Sequence, residues 1–425
     1  MLILFAIGLL ILSNCSERGH NNPFDPEGNS ETPLTLSLNS FDNNSVNLSW
    51  GWESNPVTDY SGFRIYRSVG NDHNFTLYHE SPKSEFSFSD TSVQKYNWVY
   101  YKISVFGPSV ESALSKPQKI YLGQGVYWIL SSYGFWVRKV SYDLQRAMKN
   151  YYTTYPCQEW AVSLDDSLIN LAYIRFSRGV SQLNLKKGVE DFFYSDVNSP
   201  IDVEYDAAQK RMFVLDSNGD NQEDEILVIK NKALERKIIL PKENYLKLYL
   251  SNQNHSLVIL GETKYYELST TTSTIMDSVL FSPGFIGQDV DVSSDSIYIL
   301  TYSEQTNMSK IYKTDFQGNV TDSLITSGHF YRITFDKDFH QFYLAEEIDF
   351  AQDKLVKLSS QGVRQFELSG FEYIEQIGLN PYDHSFVVIN NDPVNDQLIL
   401  YDSSGNEISR SKTNSFYDPI RIFFE

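Results

Sequence analysis

The sequence has little cysteine and little basic charge, and each shortage removes a class of protein. Two cysteines among 425 residues, Cys15 and Cys157, leave no disulfide framework. Lys plus Arg total 35 against 54 Asp plus Glu, a formal charge of −19. No basic stripe gathers anywhere, so nucleic acid is excluded as a partner, because phosphate binding needs clustered cations. The apolar stretch 2–12 runs for 11 residues, short of the ~20 that a membrane-spanning helix needs. H-E-x-x-H, paired Cys/His spacing, the G-x-S-x-G elbow, the P-loop, the dinucleotide fingerprint and the sialidase Asp-box are all absent.

What the chain does have is aromatic side chains: 29 Tyr, 27 Phe and 6 Trp, or 15% of the residues. With 41% hydrophobic and 21% charged residues this is a globular composition leaning to β-structure. At ~100–200 residues per domain, the length allows two to four domains.

Residues 2–12 have the length of a signal-peptide core, and Leu12-Ser13-Asn14-Cys15 follows. This resembles the lipobox of bacterial lipoproteins, with Asn14 where a small residue is usual. The resemblance implies a signal peptide over 1–14 and acylation of Cys15, which partners the chain with a membrane. Two or three acyl chains anchor durably at ~0.8 kcal/mol per buried methylene. An ordinary cleaved signal with an incidental cysteine is the other reading. Residues 15–30, rich in Asn, Pro, Gly and charge, read as a flexible tether. Ser16 at the second mature position points away from inner-membrane retention and toward the outer membrane of the cell envelope.

Over 31–122, period-2 runs alternate with turn-rich stretches, as in an antiparallel sandwich. Leu34, Leu36 and Leu38 are followed by VNLSW (46–50), YSGFRIYRS (60–68), YYKISVFG (100–107) and ESALSKP (111–117). These strings resemble fibronectin type III domains. The resemblance implies a core Trp50 and a corner Tyr101 whose hydroxyl caps backbone. Such domains serve as spacers or as ligand-binding modules, and fold does not choose between them.

The remainder, 123–425, repeats. First-strand anchors Val162, Val203, Leu248, Val290, Ile333 and Ile377 are spaced by 41, 45, 42, 43 and 44 residues. Second-strand anchors Leu171, Phe213, Val258, Tyr298, Tyr343 and Val387 follow spacings of 42, 45, 40, 45 and 44. Gly318, Gly362 and Gly405, 44 and 43 apart, sit where a hairpin needs positive φ. Four strands every ~43 residues make the blade of a β-propeller. The segment near Tyr127 supplies second and third strands without a first. Ile420, Ile422 and Phe424 supply first-strand alternation 43 residues beyond Ile377. The expectation is an all-β chain: a fibronectin type III sandwich, then a seven-bladed β-propeller closed by the C-terminal strand beside Tyr127. The repeat resembles propellers of the NHL and YVTN type.

Chemistry is sparse. Asp216, Asn218, Asp220 and Asp224 place oxygens at positions 1, 3, 5 and 9 of a tight loop, as Ca²⁺ requires. The string resembles the calcium loops of integrin-type propellers; a solvated acidic hairpin is the alternative, and any such ion would be structural. His255 and His384 hold equivalent turns, which suits structure more than catalysis. Cys157, before a core strand, reads as a buried apolar residue. Residues 142–158 read as a helical or looped excursion whose Tyr151, Tyr152 and Tyr155 either dress a binding face or pack on a neighbouring blade. No catalytic residues are assigned. The leading function is binding or scaffolding at the cell envelope for a protein, peptide or glycan partner. The alternative is a propeller enzyme, of glycoside hydrolase or lyase type, acting on polysaccharide.

Overall fold

The computed structural model describes residues 24, 34–40, 44–52, 59–133, 135–157, 159–163, 167–173, 178–218, 223–251, 255–293, 295–349, 352–391, 396–412, 415–416 and 418–425. All described secondary structure is strand, and among the described residues no helix is long and apolar enough to cross a membrane. Cys15 and the whole of the tether except Phe24 lie outside the described residues, and Phe24 packs against the core of the first unit. The chain divides into two units, one ending at Gly123 and the other running from Gln124 to Glu425.

In the first unit, Leu34–Asn39, Val46–Trp52 and Ser87–Asp90 form one sheet. Thr76–Pro82, Gly62–Val69, Trp98–Phe106 and Gln118–Tyr121 form the other, in that order. Alternation does the work: Leu34, Leu36 and Leu38 bury one face, and Val46, Leu48, Trp50, Phe63, Ile65 and Ile103 join them in a single core. Trp50 meets Phe63 edge-on at 5.5 Å. Tyr101 departs from the expectation, since its hydroxyl donates to Asp90 Oδ2 at 2.7 Å and not to backbone. Asp90 is fully buried, and a buried carboxylate without donors is costly. Burial alone would push its carboxyl up, but Tyr78, Tyr101 and Arg67 hold it below the usual range.

The second unit holds seven four-stranded antiparallel sheets among the described residues. Sheet 1 comprises Pro419–Phe424, Tyr127–Ser131, Trp136–Val140 and Ala147–Tyr152. Sheet 2 is Glu159–Ser163, Leu168–Tyr173, Gly179–Asn184 and Val189–Tyr194; sheet 3 is Pro200–Asp206, Arg211–Asp216, Glu225–Lys230 and Ala233–Ile239. Sheet 4 is Tyr245–Ser251, Ser256–Gly261, Lys264–Ser269 and Ile275–Leu280; sheet 5 is Ile286–Val292, Ile297–Ser303, Met308–Thr314 and Val320–Ser327. Sheet 6 is His329–Asp336, Gln341–Asp349, Gln352–Ser359 and Arg364–Phe371; sheet 7 is Ile374–Leu379, Phe386–Asn390, Gln397–Tyr401 and Glu407–Arg410.

Burial follows strand position. The second strands are the most buried, with YWILS, SLVILG and FVVIN buried throughout, whereas the fourth strands, such as IMDSVL, are mostly exposed edges. Hairpins between third and fourth strands turn on Gly318, Gly362 and Gly405 at φ 75, 81 and 87°. Asp315 and Asp402 fasten two of these turns by accepting the amides of Asn319 and Asn406, each at 2.8–2.9 Å.

Each first strand touches the first strand of the next sheet, and the series closes. Pro419–Phe424 touches both Ile374–Leu379 and Glu159–Ser163. It pairs antiparallel with Tyr127–Ser131, Phe424 opposite Tyr127 and Ile422 opposite Ile129. Val126 and Glu425 exchange two backbone hydrogen bonds of 3.0 Å. The backbone of Gly125 lies so near the Phe424 ring that a Cβ would stand 2.1 Å from it, which reserves that position for glycine.

Two expectations are corrected. Within 142–158, Ala147–Tyr152 is neither helix nor loop but the fourth strand of sheet 1, paired with Trp136–Val140. The open edge of that neighbour and the pairing it offers outweigh the helical leaning of the sequence. In sheet 2 the anchor equivalent to Val203 is Trp160 and not Val162: Trp160 stands opposite Leu171 as Val203 stands opposite Val214.

Candidate functional site

Six of the seven first strands carry a one-residue register shift at the same place, between Pro419 and Arg421, Pro200 and Asp202, Tyr245 and Lys247, Gly287 and Asp289, Phe330 and Arg332, and Ile374 and Gln376. A bulge re-aims the side chain that follows it. Here the residues that follow are polar, and with Glu159 of sheet 2 they make one tier: Arg421, Glu159, Asp202, Lys247, Asp289, Arg332 and Gln376. The tier is missed by hydrophobic periodicity, which registers the apolar residue one place along.

These side chains reach forward to the next sheet. An innermost strand has one unpaired edge, so its N–H groups need partners from elsewhere. Asp202 Oδ2 accepts the amide of Leu248 at 2.8 Å, Asp289 Oδ2 that of Ile333 at 3.1 Å, and Gln376 Oε1 that of Ile422 at 2.7 Å. The cations bridge the seams in between: Lys247 Nζ meets Asp289 Oδ1 at 2.5 Å, Arg332 Nε meets the Glu375 carbonyl at 2.8 Å, and Arg421 Nε meets Glu159 Oε2 at 2.7 Å. A second tier repeats the device, with Asp291 Oδ2 taking the Phe335 amide at 2.6 Å and Thr334 Oγ1 donating to the Ile377 carbonyl at 3.0 Å.

Electrostatics vary round the tier. Burial works against charge on Asp289, but Lys247 and Arg332 hold its carboxyl below the usual range. Burial opposes the charge on Arg421 too, and Glu159 and Glu375 keep it firmly protonated. The seam from Glu159 to Asp202 sets two carboxylates of like charge together. There, burial first and Glu159 second push Asp202 up. Glu204, beyond it on the same strand, is pushed up by burial and by Asp202, and burial pushes Asp291 to about 6. The arrangement can hold protons on carboxylates at the channel wall, although Asp202 and Asp291 have their oxygens on backbone amides.

The residues singled out in the sequence are scattered. Asp216 is fully buried and accepts the amides of Asn198 and Ser199, the latter at 2.7 Å. Asp224 Oδ1 accepts the amide of Asn218 at 2.9 Å, and Asp220 lies outside the described residues. His255 and His384 have φ of 51 and 58°, and His340 joins them at 52°; all three precede second strands. His384 Nδ1 lies 3.0 Å from Asp336 Oδ2, and with Asp338 these groups present ligand atoms within 4.8 Å. Asp336 Oδ1 also accepts the Asp338 amide at 3.1 Å, as a turn-capping aspartate does. Cys157 is fully buried and burial pushes its thiol up, away from reactivity. Tyr151 is buried, its hydroxyl on the Leu185 carbonyl at 2.9 Å, and Tyr155 packs edge-on against Tyr173, so both serve the junction with sheet 2; Tyr152 is exposed.

No family model matches the chain, and no curated protein matches it. Solved structures do. A functionally unknown protein of Desulfotomaculum acetoxidans aligns at 12% identity and TM-score 0.55, over 71% of this chain and 99% of that one. A candidate 6-phosphogluconolactonase of Bacteroides fragilis aligns at 10% identity and TM-score 0.55, over 71% and 98%. Kuenenia stuttgartiensis hydrazine synthase aligns at 11% identity and TM-score 0.52, over 72% and 93%. At such identities the likeness speaks for fold alone. Neighbours of varied function share the propeller architecture, and this all-β chain carries a β-propeller.

Proposed function

We propose that the chain is a lipid-anchored binding or scaffold protein of the bacterial cell envelope, acylated at Cys15 and directed to the outer membrane. In this reading a fibronectin type III spacer follows the tether, and a seven-bladed propeller presents its loops to a protein, peptide or glycan partner. The division of the first unit into sheets of three and four strands over one core supports the spacer. The closed series of first strands supports the count of seven.

The observation that carries the scaffold role is the spending of the polar channel groups on neighbouring sheets. Carboxylates that accept backbone amides hold a ring together and are poorly placed to attack a substrate. Affinity capture from envelope extracts with the whole lipidated chain tests this. A specific partner retained by the wild type and released by loop substitutions is expected; retention of nothing above the bare matrix sinks the binding role. Metabolic labelling with a radioactive fatty acid, present in the wild type and lost in Cys15→Ala, tests the anchor.

A second reading, an enzyme acting on polysaccharide, is favoured by one observation, the raised carboxyl of Glu204 on the innermost strand of sheet 3. Cleavage of an envelope or extracellular polysaccharide by the wild type, abolished in Glu204→Gln, would replace the scaffold role with this one.

A further inference from the structure

At one end of sheet 6 a cavity of about 360 Å³ is lined by Tyr302, Asn307, Gly328, His329, Glu346 and Glu347, among others. Its buried member is Glu346, 6% exposed, whose Oε2 has no hydrogen-bond partner among the described residues. A buried carboxylate oxygen left unpaired costs free energy, so its persistence calls for a use.

Equivalent positions in other sheets show what Glu346 is not doing. Asp216, Asn390 and Glu346 each stand opposite the residue just before the first-strand bulge: Pro200, Ile374 and Phe330. Asp216 caps the loop that leads into its sheet, taking the Ser199 amide at 2.7 Å. Asn390 Oδ1 takes the Glu372 amide at 2.9 Å. In sheet 6 the loop amide of Gly328 goes instead to the Asn307 carbonyl at 3.1 Å, which leaves Glu346 without that duty. Gly328, at φ 115°, clears the space: a Cβ there would stand 2.1 Å from Glu346 Oε1.

The surroundings select the ligand. Oε1 has Arg364 at 3.4 Å, so one oxygen remains to receive a donor. Glu347 stands at the rim with His329 Nδ1 2.8 Å from Oε2, and the His329 ring stacks on Tyr302 with centroids 3.9 Å apart. A single open oxygen suits a point donor; a guanidinium fork would ask for two. An aromatic wall beside it favours a cation. The neighbouring cavity, about 390 Å³, offers no such group, since Asp353 Oδ2 already takes the Ile374 amide at 2.7 Å.

We infer that this cavity binds a primary ammonium group on an alkyl chain, with Glu346 Oε2 as its principal acceptor and the Tyr302–His329 stack as its wall. The inference stands on this cavity and does not depend on the scaffold reading.

The test titrates the full chain with n-butylammonium, n-butanol and n-butylguanidinium, followed by calorimetry and by ligand-observed NMR. Saturable binding of butylammonium is expected, weakened by salt and weakened on the order of tenfold or more in Glu346→Gln, the usual effect of removing a charged acceptor. Glu346→Gln keeps the shape of the side chain, and its melting curve reports that the fold is retained. Absence of saturable binding, equal binding by butanol or butylguanidinium, or undiminished binding by a folded Glu346→Gln protein overturns the proposal.

Discussion

Phe424 stands edge-on to Tyr127 with ring centroids 4.8 Å apart, although 297 positions separate the two in sequence. This pair lies where the last strand completes the first sheet, so closure of the propeller is written into one aromatic contact and the backbone ladder beside it.

Deleting 416–425 is therefore expected to expose the edge of Tyr127–Ser131 and open the ring. Differential scanning calorimetry should show a lower Tm, and limited proteolysis should release fragments of the second unit. A truncated protein that melts and digests like the full chain would refute closure. Phe424→Ala alone should cost about 2–3 kcal/mol, at or below the low end for a buried Phe because the ring is half-exposed.

Arg421 sits between Glu159 and Glu375, with its guanidinium 3.2 Å from the latter. Arg421→Met leaves Glu159 without its cation, while Glu375 keeps Arg332 at 3.5 Å, and should cost roughly 3–5 kcal/mol. Adding Glu159→Gln should recover part of that loss. Chemical denaturation of the four proteins in the cycle measures the coupling, and strictly additive effects would mean that the pair does not act as a unit.

Glu267 is 1% exposed, and burial outweighs the Ser256 hydroxyl beside it and pushes its carboxyl up to about 7. The folded state then holds a proton that the unfolded chain releases near pH 4.5, so this group makes stability fall as pH rises from about 4.5 to 7. Glu267→Gln should flatten that decline, gaining about 1 kcal/mol at pH 8 and nothing near pH 4. Asp90 works with the opposite sign: its carboxyl is held low, so its stabilisation is present above the unfolded value and disappears as pH falls through the folded one. Equal pH slopes for the Glu267→Gln and parent proteins would contradict the assignment.

Calcium at Asp216, Asn218, Asp220 and Asp224 is decided by calorimetric titration. Heat that saturates in the parent and is lost in Asp220→Ala is the expected result for a bound ion, with a raised Tm in calcium. A solvated acidic hairpin would give no heat at millimolar calcium.

Much of the ring was legible because it rests on short-range rules. Gly318, Gly362 and Gly405 announced their hairpins, since a turn that needs positive φ selects glycine wherever it recurs. Ile420, Ile422 and Phe424 announced a strand by alternation. The tier from Arg421 to Gln376 was hidden, because each bulge inserts a residue and breaks the period-2 pattern just where polarity begins. In sheet 2, which has no such bulge, Val162 and Trp160 lie two apart on one face, and alternation alone does not choose between them. Glu346 was hidden for a different reason: its meaning comes from comparison with Asp216 and Asn390, which share its place in the sheet but not its freedom. Nor does local propensity reveal Ala147–Tyr152, whose strand exists because Trp136–Val140 offers an edge.

The forward-reaching side chains have a mechanical corollary. Widening the bore would stretch the links at Leu248, Ile333 and Ile422 together, so the load is shared as in a hoop. The rim is thereby held at a fixed diameter.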